Sequence, residues 1–92
     1  MRIEALEIDD HILDKIESKH GVTFEEAEEA CLSDEGRHIR RGREGLYKVF
    51  NIVFGRHLLV VLADKGSGVW KIVTARDTDQ TEERLYDKEM GR

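Results

Sequence analysis

The strongest constraint on this chain is a series of three apolar runs, Leu46 to Phe54, Leu58 to Ala63 and Val69 to Ala75, separated only by short breaks. The breaks, Gly55-Arg56-His57 and Asp64-Lys65-Gly66-Ser67-Gly68, have the chemistry of hairpin connections. The middle run, Leu58-Leu59-Val60-Val61-Leu62-Ala63, holds no polar residue and suits a central strand buried on both faces. Buried helix competes with that reading, but β-branched residues, a length of six and flanking glycines favour strand. A three-stranded antiparallel meander is therefore expected, and every other element has to pack on it or extend it.

Upstream, Leu6-Glu7-Ile8 alternates as a short strand would, and Asp9 or Asp10 offers a carboxylate to the free amides of a following helix. Ile12, Leu13 and Ile16 give that helix one apolar face, and Gly21 suits the left-handed position that ends it. Thr23 and Glu26 then have capping-box spacing, with Val22 and Ala27 placed as a hydrophobic staple. Phe24, Ala27, Ala30 and Cys31 share the inner face of this second helix, where Cys31 packs as a small apolar residue. Ser33 to Gly45 is polar, with three glycines and four arginines, and is expected to be a loop, partly ordered at best. After Arg76, the sequence Asp77-Thr78-Asp79-Gln80-Thr81-Glu82 is rich in N-cap residues, so a C-terminal helix should follow and turn Leu85, Tyr86 and Met90 to the sheet. The expected order is β-α-α-β-β-β-α in one α+β domain, residues 1–92.

A chain of 92 residues supports one modest core, since folding at that size buries roughly 60–65% of the extended surface. No run approaches the ~20 apolar residues of a membrane span. Acidic residues follow Met1-Arg2 at once, so no secretory signal is expected, and the single Cys31 fits a reducing, cytoplasmic setting. The formal charge of −5 speaks against nucleic acid until its distribution is considered. Residues 1–36 carry twelve acids and three bases, whereas residues 37–76 carry nine bases and two acids. A local basic face attracts a phosphate chain whatever the total charge. The alternative is that these are solvated charges paired with the acidic helices.

Particular residues then become familiar. Lys19-His20-Gly21-Val22-Thr23-Phe24-Glu25-Glu26-Ala27 resembles the Lys-His-Gly-Val-Ser-Phe-Glu-Glu-Ala signature of the BrnT family. Leu6-Glu7-Ile8-Asp9, Leu58-Leu59-Val60-Val61 and Lys71-Ile72-Val73-Thr74-Ala75-Arg76 with Glu83-Arg84-Leu85-Tyr86 resemble further stretches of that family, in order and spacing. The likeness spans about residues 6 to 86. It implies a RelE-like fold and a metal-independent ribonuclease toxin of a type II toxin–antitoxin system. A cognate DNA-binding antitoxin of ribbon-helix-helix type would neutralise it, in a heterotetramer or another assembly. Ile16, Leu46 and Lys71 depart from the family pattern, which has asparagine, arginine and arginine there. The alternative is a catalytically inactive RelE-like protein-interaction or RNA-binding module.

Metal-free RNA cleavage uses the 2′-hydroxyl as nucleophile, so it needs a group for proton transfer and cations for the phosphate oxygens. With the resemblance in hand, His20 is the candidate for proton transfer and Arg76 for the phosphate. Lys19 and Lys71 would add charge, and Tyr47 stacking or proton donation. Structural readings stand beside these. His20 fits a helix C-cap hydrogen-bonding last-turn carbonyls, Arg76 a partner for acids on the last helix, and Tyr47 a packing residue. His11, His38 and His57 receive no role. One cysteine and four dispersed histidines form no zinc-ligand pair, and no cofactor is expected. The nuclease reading requires His20 and Arg76 to share one positively charged surface.

Overall fold

The structure is a computed structural model that describes residues 1–91. Its elements are β1 (Ala5–Glu7), α1 (Asp10–His20), α2 (Phe24–Leu32), β2 (His38–Arg41), β3 (Leu46–Val53), β4 (Arg56–Gly66), β5 (Val69–Asp77) and α3 (Gln80–Glu89). The strands form one sheet in the order β1-β5-β4-β3-β2. The expected meander is β3-β4-β5, antiparallel throughout. β4 is the central strand. Leu58, Val60 and Leu62 join the core under α1 and α2, while Leu59 joins a second core under α3. That two-sided burial is why its sequence has no polar break.

Two expectations are corrected. The sheet is mixed rather than antiparallel, because β1 runs parallel to β5, with Leu6 opposite Trp70. Two helices lie between β1 and the meander, and a connection of that kind permits parallel pairing where a tight turn does not. The stretch read as a loop also contains a fifth strand, β2, paired antiparallel with β3 from His38–Phe50 to Arg41–Tyr47. The β2–β3 connection closes with Gly42 N–H donating to the Leu46 carbonyl at 2.8 Å and Leu46 N–H to the Arg43 carbonyl at 3.0 Å. His-Ile-Arg-Arg carries little strand signal of its own, and charged side chains are what an edge strand uses against further pairing.

Local signals hold at the helix ends. Gly21 takes a left-handed φ of +64°, and its N–H and that of Val22 bond back to Glu17 and Ile16. The Thr23–Glu26 capping box forms in both directions, and Val22 and Ala27 are fully buried. Asp9 is the α1 N-cap residue, but its side chain caps nothing. Its carboxylate pairs with Lys71 Nζ at 2.7 Å, tying the start of α1 to β5. α3 lies on the opposite face from α1 and α2, where Tyr86 packs with Phe50 and Leu59, and a second capping box, Asp79–Glu82, starts it.

Candidate nucleic-acid interface

Directly paired residues of neighbouring strands point to the same side of a sheet. Across β2, β3, β4 and β5 one row runs His38, Phe50, Leu59, Arg76, and the next runs Arg40, Lys48, Val61, Thr74. Leu59 and Phe50 belong to the α3-side core, so both rows lie on the α3 side. The register skips Val73, pairing Val61 with Thr74 but Leu62 with Ile72. Because of that bulge, Ile72 and Ala75 both reach the core under α1 and α2, while Thr74 and Arg76 point the other way.

α3 covers the first row and leaves the second open. Arg40 and Lys48 are exposed there, beside a groove that Gly42, Phe50, Glu82 and Leu85 complete. Arg76 stands at the far end of the covered row, about 14 Å from β2 by strand spacing. Its guanidinium makes a forked contact with Glu82, Nη1 to Oε1 at 2.8 Å and Nη2 to Oε2 at 3.0 Å. That contact raises the Arg76 pKa and lowers that of Glu82, whose carboxylate also feels Lys48. The residue expected to meet phosphate thus holds a carboxylate from α3.

The other candidates fall elsewhere. Lys71 shares the α3 side by register, opposite Ala63, and reaches the sheet rim to pair with Asp9. Tyr47 pairs with Leu62 and so faces α1 and α2, with its ring edge-on to Trp70 at 5.2 Å. The Arg41 guanidinium lies 5.9 Å from the Tyr47 ring. Lys19 and His20 end α1, on that same layer, with Lys19 exposed and His20 half-buried. Register therefore puts Arg76 on the same side of the sheet as Arg40, Lys48 and His38, while His20, ending α1 on the other layer, lies near Asp77, the residue next to Arg76. The cause is alternation: Arg76 pairs with Leu59, and its neighbour Asp77 pairs with Leu58 of the other core.

The most heavily engaged side chain had no role in the sequence reading. Arg56 opens β4, where its guanidinium grips Asp77 through Nε at 2.6 Å and Nη2 at 2.9 Å. It also donates to the carbonyls of Gly21 at 2.8 Å and His20 at 3.0 Å, and to Glu26 at 3.2 Å. The carbonyls of His20, which ends α1, and of its C-cap Gly21 are thus served by Arg56 rather than by the His20 imidazole. The hydrogen bonds from Arg56 hold the Asp77 carboxyl below its usual range, with a smaller contribution from nearby His20. Glu26 is lowered first by the Thr23 backbone N–H and then by Arg56. Only its position after Gly55 marked Arg56 in the sequence, and a turn arginine carries no such signal.

Among the described residues no cluster of three His, Cys, Asp or Glu could hold a metal ion, and no helix is long and apolar enough to cross a membrane. No protein-family model matches the sequence, and no curated protein does either. Among solved structures the chain is similar to the Brucella abortus ribonuclease toxin BrnT, at 16% identity and a TM-score of 0.68. The match covers 83% of this chain and 97% of that one. A five-stranded mixed sheet with two helices on one face and a third on the other, matched at that score over that length, is the fold of the BrnT ribonuclease toxin.

Proposed function

We propose that this protein is a ribonuclease toxin of a type II toxin–antitoxin system, cleaving RNA without metal. The observation that carries this reading is the likeness of its sheet and helix arrangement, over 83% of the chain, to a ribonuclease toxin. The placing of Arg40, Lys48 and Arg76 on one side of the sheet supports it, because cations sharing a face attract a phosphate chain. In the reaction the 2′-oxygen forms a bond to phosphorus while the bond to the 5′-oxygen breaks. The 2′-hydroxyl proton passes to a base and the leaving oxygen takes a proton from acid or water. Arg76 offers two N–H groups to the non-bridging oxygens, where charge builds. Lys71 extends the charged surface at the rim. His20, with Lys19, serves that phosphate only if RNA turns over the C-terminal end of β5, where Asp77 faces His20. Tyr47 acts through packing against Trp70. The proposed partner is a cytoplasmic, DNA-binding antitoxin of ribbon-helix-helix type that covers the basic face with acidic or apolar contacts.

The test is cleavage of single-stranded RNA in EDTA by the wild type, Arg76→Ala and His20→Ala. Loss of one charged donor to the developing phosphorane should lower the rate by about 10²–10³. The expected result is that loss in Arg76→Ala and a far smaller one in His20→Ala. Equal losses would restore His20 to the site, and full activity in Arg76→Ala would remove this face from the mechanism. A second reading, an inactive interaction module, is favoured by one observation: Arg76 and Lys71 are both already paired with carboxylates, Glu82 and Asp9. Absence of cleavage by the wild type across several RNAs would select it.

A further inference from the structure

α3 lies on the surface to which the preceding reading assigns RNA, and its contacts there are few. Tyr86 is its one buried residue, while Leu85 stays 44% exposed. Tyr86 Oη donates to the Gly36 carbonyl, its ring meets His57 edge-on, and Glu82 holds Arg76. The seam between this helix and the rest of the molecule is also imperfectly satisfied. Two buried side-chain polar atoms among the described residues have no hydrogen-bond partner, His38 Nε2 and Thr78 Oγ1. His38 lines the small cavity beneath α3 together with Glu82, Tyr86 and Glu89, and Thr78 lies in the link between β5 and α3. A buried polar atom without a partner disfavours the closed arrangement, and water would reach His38 Nε2 once the helix lifted.

The carboxylate of Glu82 meets Arg76 as a phosphate would, two oxygens against two guanidinium nitrogens. Removing the helix would uncover Arg76 and His38, with Phe50 and Leu59 between them, beside the open row of Arg40 and Lys48. We propose that α3 is a displaceable acidic cover, with Glu82 standing in for an RNA phosphate on Arg76, and that binding of single-stranded RNA lifts it. This rests on the RNA reading above and adds to it a competition between the protein's own helix and its substrate.

The probe is a fluorescein-labelled 2′-O-methyl oligouridine, which cannot be cleaved through the 2′-hydroxyl, titrated into the full chain. Glu82→Gln keeps a capping-box side chain and removes the charge. It should bind the probe about three- to five-fold more tightly, the gain expected from losing a partly exposed ion pair. That gain should vanish in the Glu82→Gln, Arg76→Ala double variant. Hydrogen exchange supplies the second readout: amides of α3 should lose protection when the probe saturates the wild type. Binding with α3 equally or better protected, or unchanged affinity in Glu82→Gln, would overturn the cover and leave the RNA surface standing. No binding by the wild type or by Glu82→Gln would overturn the RNA reading itself, and the cover with it.

Discussion

Replacing Arg56 by Met keeps the aliphatic stem and removes every contact of its guanidinium. Two of those contacts are charge-assisted bonds to the carbonyls of Gly21, the α1 C-cap, at 2.8 Å and His20, its last residue, at 3.0 Å, which no other side chain among the described residues serves. The ion pair with Asp77 adds little, because the Asp77 side chain is 56% exposed and such pairs give at most about 1 kcal/mol. Glu26 is 18% exposed and loses its cation, although it keeps the Thr23 N–H. The Gly21 bond is exposed and the His20 bond only part-buried, so each is set at about 1 kcal/mol, below the range for charged donors. With the two ion pairs the loss comes to about 2–3 kcal/mol. In a chain of 92 residues that corresponds to a fall in Tm of about 10–15 °C. Urea unfolding of wild type and variant at a common m-value measures it directly. The variant should also alter the acid limb of the stability curve. Asp77 and Glu26 have lowered folded-state pKa values, so their contribution is complete above the ordinary carboxylate range and disappears as pH falls through the folded values. Without Arg56 that limb should flatten, largely for Asp77, which keeps the smaller contribution of His20, and partly for Glu26. A loss below about 0.5 kcal/mol, the level of an ordinary surface substitution, would refute the view that Arg56 joins α1, α2 and β5.

Two further outcomes are expected. Asn51 is 3% exposed, donates to the Ala30 carbonyl at 3.1 Å and accepts from Ile52 N–H at 2.8 Å, so Asn51→Ala should cost about 2–3 kcal/mol in the same unfolding assay. Burial pushes the Cys31 thiol up to about 12, so an aromatic disulfide reagent at neutral pH should label it only on unfolding, and fast labelling of the folded protein would contradict its place in the core.

What the sequence determined by itself is what adjacent residues settle among themselves. The central strand was legible because burial on both faces leaves no room for a polar residue between Leu58 and Ala63. The Thr23–Glu26 box and the Gly21 terminus were legible because each closes within a few residues, through bonds whose donors and acceptors the spacing names. β2 was not legible, since its strand character comes from the partner β3 offers rather than from His-Ile-Arg-Arg. The direction of β1 was decided by β5, 64 residues further along at the Leu6–Trp70 pair. The candidate site depended most on such distant pairing. A sheet side chain changes face with a shift of one residue, so only the register, with its skip at Val73, could put Arg76 beside Glu82 and Asp77 beside Arg56. Composition placed the positive charge in the sheet, and tertiary structure decided which side of it Arg40, Lys48 and Arg76 occupy and that Glu82 of α3 pairs with Arg76.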